Sequence, residues 1–123
     1  MPAPVVFFDI ACPDLATQRA FYSTVFGWDI AADGSFTVPA ASPMPGLMRV
    51  EAASGPLQER IVYLGVEDIN TTLAKIQANG GSVVYPRSVV PGVVILAVFK
   101  DPAGNRTGLV EIKDGKPIVP PAK

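Results

Sequence analysis

Few side chains in this sequence can do chemistry, and histidine is not among them. Its absence removes the commonest metal ligand and the commonest general base near neutral pH. A Ser-His-Asp or Cys-His site is excluded, as is an all-histidine zinc site. Cys12 is the single cysteine, so no disulfide can form within the chain. It reads either as a reactive thiol or as a small buried residue at a strand end. Asp9, Arg49, Tyr63 and Glu111 remain, all in stretches of strand character. Arg49 could fork onto a carboxylate or stack on a ring, or simply face solvent. Glu111 could be a general base or polar anchor, or a surface carboxylate near Lys100 or Lys113. Asp9 offers an acid or base but reads better as a strand-end charge. Tyr63 offers a hydrogen-bond donor, although strand aromatics more often belong to a core.

An internal repeat sets the elements that must position these residues. When Phe7 is laid on Ile61, Asp14 meets Asp68, Thr17 meets Thr71 and Gly27 meets Gly81. Such a period signals one supersecondary block used twice around a shared core. In the first copy, residues 5–11 read as a buried strand and Asp14 as a helix N-cap. Apolar residues from Leu15 to Phe26 recur at helical spacing, and Gly27 stops the helix. Trp28 should pack where that helix ends. Short strands follow at 28–32, 35–40 and 47–52. The second copy gives a strand over 60–66, a helix from Asp68 to Asn79 stopped by Gly80-Gly81, and strands at 82–87, 93–99 and 107–113. Residues 101–105, Asp-Pro-Ala-Gly-Asn, form a tight turn.

Each half is therefore β-α-β-β-β, with repeat one at about 4–52 and repeat two at about 60–113. Together they give an α+β domain over residues 1–113, a curved, open barrel-like sheet with helices outside. The Pro/Lys-rich tail, 114–123, should be extended and loosely held. The net charge is −1 with no basic cluster, which argues against nucleic acid and polybasic membrane contacts. No apolar run is long enough to span a membrane, and Met1-Pro2-Ala3-Pro4 does not look like a leader. A cytoplasmic protein is expected.

The chain resembles the vicinal oxygen chelate superfamily, which includes glyoxalase I, extradiol dioxygenases and bleomycin-resistance proteins. The resemblance lies in Asp14-Leu15, Phe21-Tyr22 and Val25-Phe26-Gly27-Trp28 of the first half. In the second it lies in Leu64 to Ile69, Gly80-Gly81, Phe99 to Arg106 and Gly108-Leu109-Val110-Glu111. It covers nearly the whole chain apart from the tail. Metal-dependent members take one ligand from the first strand and one from the last strand of each unit. The matching first-strand positions are Phe7 and Ile61, which cannot bind a metal. The last-strand positions are Arg49 and Glu111, so only Glu111 remains as a possible ligand.

The resemblance and strand alternation together imply a ligand trough lined by Phe7, Asp9, Leu47, Arg49, Ile61, Tyr63 and Leu109, with Glu111 as the catalytic candidate. Arg49 and Glu111 should pair there. The expected function is metal-free binding of a small molecule, with no cofactor, by a homodimer. The alternative is a lyase, isomerase or dioxygenase using Glu111 as base or as its one retained metal ligand. A third reading is an interaction module without a ligand.

Overall fold

A computed structural model of the chain describes residues 8–37 and 59–122. Asp14 opens helix α1 (Leu15–Phe26): its side chain accepts from the Ala16 N–H at 3.2 Å and the Thr17 hydroxyl at 2.6 Å. Gly27 closes α1 in the left-handed region, at φ 70°, where a residue without Cβ is least strained. Asp68 repeats the device for α2 (Ile69–Ala78), accepting from the Thr71 N–H at 3.0 Å. The two expected helices thus start where the two aspartates place them.

The second half completes the β-α-β-β-β unit. Its strands are β1 (Tyr63–Val66), β2 (Ser82–Val90), β3 (Val94–Lys100) and β4 (Arg106–Lys113). Their order in the sheet is β1-β4-β3-β2, with β1 parallel to β4 and the other pairs antiparallel. A short fifth strand, β5 (Lys116–Pro117), pairs with β4. The architecture is α+β: a mixed, curved, open five-stranded sheet with two helices. Burial follows this order. Strands β3 and β4 are central and mostly buried, as the nearly continuous apolar run of β3 requires. Strand β2 lies at an edge among the described strands and tolerates Pro86, which cannot donate to a ladder. Register shifts between Val83 and Tyr85 and between Tyr85 and Ser88 interrupt its pairing with β3.

The first half departs from expectation. Among its described residues Ile30 and Phe36 form an isolated bridge around a turn and residues 8–11 form no strand; the remainder of the strands expected at 5–11 and 35–40 lies outside the described residues. The expected strand at 47–52 lies outside the described residues. The tail is also better held than its composition suggests. The Ile118 N–H donates to the Glu111 carbonyl at 2.9 Å, the Gly92 N–H donates to the Pro120 carbonyl at 3.0 Å, and Pro120 is buried. Ile118 packs on the core, so apolar burial offsets the ordering cost.

The core lies between the helices and one sheet face. Phe21, Tyr22, Trp28, Ile69, Ile76, Phe99 and Leu109 form its centre. Trp28 packs at the end of α1 as expected, stacked on Tyr22 and on Phe36 with ring centroids 5.0 Å apart in each case. Buried Asp101 ties the halves together. From α1 it receives the Gln18 amide at 2.6 Å and the Tyr22 hydroxyl at 2.9 Å. Within its own turn it receives the Ala103 and Asn105 N–H groups at 3.0 and 2.9 Å. Burial, the largest cause, raises the Tyr22 phenol well above its ordinary pKa, so it stays a donor to the carboxylate.

Candidate functional site

Sheet register decides which candidate residues can meet. Tyr63 stands opposite Gly108, Leu64 opposite Leu109, Gly65 opposite Val110 and Val66 opposite Glu111. Partners on neighbouring strands project to the same face, and alternate residues project to opposite faces. Leu64 and Leu109 belong to the helix-side core. Tyr63 therefore lies on the open face, with Gly65, Gly108, Val110 and Ile112. Two contacts agree: a Cβ on Gly108 would run into the Tyr63 ring, and one on Gly65 would come within 2.9 Å of Ile112.

This arrangement corrects the expected trough. Tyr63, and Ile61 by the same alternation, do not share a face with Leu109 and Glu111. Leu109 is fully buried beneath the helices. Alternation holds along each strand as expected, but the phases of β1 and β4 pair the other way. Phe7, Leu47 and Arg49 lie outside the described residues. Asp9 is exposed, in line with a strand-end charge, at a cavity of about 120 Å³ also lined by Phe8, Trp28, Arg60, Leu64 and Arg106. Within it, Arg106 Nε lies 3.2 Å from Glu59 Oε2 but makes no hydrogen bond along that line. A space of this size suits a few water molecules.

Glu111 is held by partners that its sequence position does not announce. Arg87, from β2, donates through Nε to Oε2 at 2.8 Å and through a terminal nitrogen to Oε1 at 2.9 Å. The Ile69 N–H at the start of α2 donates to Oε2 at 3.1 Å. Arg49 is the expected partner; Arg87 takes that role among the described residues. The Arg87 fork, ahead of the Ile69 N–H, holds the Glu111 carboxyl below its usual range although burial opposes this. A carboxylate so stabilised is a poor proton acceptor near neutral pH. Its arrangement is that of a clamp joining β2, β4 and the positive end of α2.

A divalent metal, implied by the metal-dependent members of the resembled superfamily, needs ligands that the described part of the open face does not offer. The faces of β1 to β4 turned away from the helices carry no Asp, Glu, His or Cys; Tyr63 is flanked by glycine and aliphatic groups. Among the described residues no cluster of three such ligands occurs anywhere. This donor set does not fit a divalent ion. Arg87 and Asp101 escape sequence reasoning for different reasons. Arg87 carries no signal beyond its place in a strand beside Pro86. Asp101 reads only as a turn residue, although its turn is legible.

A helix-backed sheet with strand order β1-β4-β3-β2, joined to a second capped helix, defines the class of glyoxalase-type folds. The chain belongs to the glyoxalase-like domain family, whose profile matches residues 5–110. Among solved structures the fold is similar to a glyoxalase/bleomycin resistance protein/dioxygenase family enzyme from Burkholderia phytofirmans PsJN. That match has TM-score 0.60 and 13% identity, covering 81% of this chain and 91% of that one. It is also similar to a glyoxalase-related enzyme from Fulvimarina pelagi, with TM-score 0.59 and 18% identity over 95% and 98% of the two chains. In sequence it is similar to the anthracycline biosynthesis protein DnrV of Streptomyces peucetius, at 25% identity over 84% of this chain and 45% of that protein. The chain thus spans less than half the length of that relative. No described helix is long and apolar enough to cross a membrane.

Proposed function

We propose that this chain is a metal-free small-molecule binding protein of the glyoxalase/bleomycin-resistance type, with its ligand in the trough on the open sheet face. One observation carries this reading. The face of β1 and β4 turned away from the helices exposes Tyr63 beside buried Gly108, and the same face of β1 to β4 carries no metal-ligating side chain. Such a surface buries an apolar body and selects by shape and a few polar contacts. Similarity to an anthracycline biosynthesis protein supports a ligand that is an organic secondary metabolite or a compound of similar build. The alternative, an enzyme using Glu111 as base, is disfavoured by the clamp around that carboxylate.

A homodimer belongs to the same reading. Strand β2 is an edge among the described strands, and Val89, Val90 and Val93 near it are exposed. A symmetric partner would cover such an edge. Sedimentation at micromolar concentration should show twice the chain mass of 12.9 kDa; a single species at the chain mass would remove the dimer. A cytoplasmic setting is also part of the proposal, since a chain with one cysteine needs no oxidising compartment. A thermal-shift screen of aromatic acids, drugs and small metabolites tests the binding function, because a ligand specific to the native state raises the melting temperature. Binding hits with no turnover are expected. Turnover of a hit, lost in Glu111→Gln with melting and binding retained, would establish the enzyme instead.

A further inference from the structure

The chain after β4 folds back and is tied down in two places. Asp114 and Gly115 both take positive φ, at 53° and 76°, as in the two-residue turns that reverse a hairpin. Strand β5 then pairs with the end of β4, and the Ile118 N–H donates to the Glu111 carbonyl at 2.9 Å. Beyond Ile118 this strap crosses to the β2–β3 turn. That turn, Val90 to Val93, is closed by the Val93 N–H donating to the Val90 carbonyl at 2.9 Å. Pro91 comes second in it and Gly92 third, at φ 74°, the geometry of a type II turn. The Gly92 N–H is not used inside the turn and finds its acceptors on the strap, the Pro120 and Pro121 carbonyls at 3.0 and 3.2 Å. A Cβ at Gly92 would meet Ala122 at 3.4 Å, so the strap runs directly over the turn. Pro117, Pro120 and Pro121 stiffen it, which lowers the conformational freedom lost on docking.

These ties close a circuit. The Glu111 carbonyl binds the strap, the strap binds Gly92 at the hairpin tip, β2 leads from the tip to Arg87, and Arg87 holds the Glu111 carboxylate. The sheet by itself grips this part of β2 loosely. The strand is an edge among the described strands, and Arg87 lies in the second break of its ladder, between Tyr85 and Ser88. Only three pairs, Ser88 to Val90 with Leu96 to Val94, separate that break from the turn that the strap covers. We infer that residues 116–122 are a latch on the β2–β3 hairpin, and that the seating of Arg87 on Glu111 depends on it. With the strap docked, the clamp is closed. Lifting the strap releases the hairpin tip, lets Arg87 leave with β2 and frees the Glu111 carboxylate on the helix side. The latch goes beyond ligand binding on the open face and does not depend on it.

Hydrogen exchange read by NMR tests the latch in the full chain, with the Arg87 Nε–H signal identified by its loss in Arg87→Lys. Ile118→Ala removes the side chain that packs the strap on the core. It should speed exchange of the Gly92 N–H and the Arg87 Nε–H together, by about tenfold, as for one locally opening unit. Asp14→Ala, which removes the N-cap of α1, is the control. It should lower the melting temperature without speeding either signal. Equal acceleration in Asp14→Ala would overturn the latch, because the exchange would then follow global stability. Acceleration of Gly92 alone in Ile118→Ala, with Arg87 unchanged, would overturn it by separating the strap from the clamp. Removal of residues 116–123 should speed both signals further than Ile118→Ala does. A folded truncated chain that protects Arg87 as well as the intact one would also overturn the latch.

Discussion

Arg87 and Glu111 lie on strands β2 and β4, with β3 between them, yet they meet through two bonds of 2.8 and 2.9 Å. The guanidinium passes over β3 on the helix side, and the Ile69 N–H shares the same carboxylate. The residue that resemblance singles out for chemistry is thus engaged in holding the second repeat together.

Removing the Glu111 carboxylate should therefore cost stability. Glu111→Ala leaves the Ile69 N–H and the Arg87 fork without their acceptor. A loss of about 1–3 kcal/mol is expected, the usual cost of stranding such donors. Urea titration measures it. Binding of any ligand on the open face should stay within about twofold, because Glu111 lies on the other face.

Stability should fall at both ends of the pH scale. The folded state lowers the Glu111 pKa, chiefly through Arg87, so that contribution is present above the unfolded value of about 4.3 and is lost as pH falls through the folded value. Asp68 and Asp33 are lowered as well, by the N–H groups of Thr71 and Ser35. Tyr22 is raised by burial, so its contribution is present below about pH 10 and is lost as pH rises beyond that. Melting curves from about pH 3 to 11, which bracket these ordinary values, should show a plateau between the two limbs. Glu111→Gln should flatten part of the acid limb and Tyr22→Phe part of the alkaline one. An unchanged acid limb in Glu111→Gln would contradict the clamp.

Asp101 should be more costly to replace than an ordinary turn aspartate. Asp101→Ala strands donors from Gln18, Tyr22, Ala103 and Asn105 together. A loss of about 3 kcal/mol or more is expected for a buried network of this kind. Tyr22→Phe should cost about 1 kcal/mol. The double variant should lose less than the sum, because the two residues share one bond.

Gly81 and Gly108 should respond differently to alanine. A Cβ at Gly81 would lie 2.6 Å from the Ile76 side chain and 2.8 Å from the Lys100 carbonyl oxygen, which is backbone and cannot swing away. Gly81→Ala should cost about 1–3 kcal/mol by overpacking. At Gly108 the obstacle is the exposed Tyr63 ring, which can move. Gly108→Ala should lower the melting temperature less. Equal melting losses in the two variants would show that Tyr63 is fixed in place.

Local chemistry is legible in the sequence. Asp14 and Asp68 cap their helices because a short carboxylate reaches the orphan N–H groups of the next turn, an interaction confined to a few neighbouring residues. The apolar run of β3 marks a central strand, flanked by a neighbour on each side and mostly buried. Local pattern still misleads in places. The repeat matches Gly27 to Gly81, yet the left-handed residue after α2 is Gly80, because α2 ends two residues sooner than the repeat implies. Gly81 serves instead to let β3 approach Ile76 closely.

Tertiary structure alone decided the faces and the partners. Alternation along a strand places its side chains on two sides, but only inter-strand register states which side of β1 matches which side of β4. A one-residue difference moved Glu111 from the expected trough to the helix side. The choice of Arg87 as its partner depends on the irregular pairing of β2 with β3, which no residue spacing encodes. Hydrogen bonds within one helical turn are set by chain connectivity. A contact between strands that are not adjacent is set by how the whole sheet assembles.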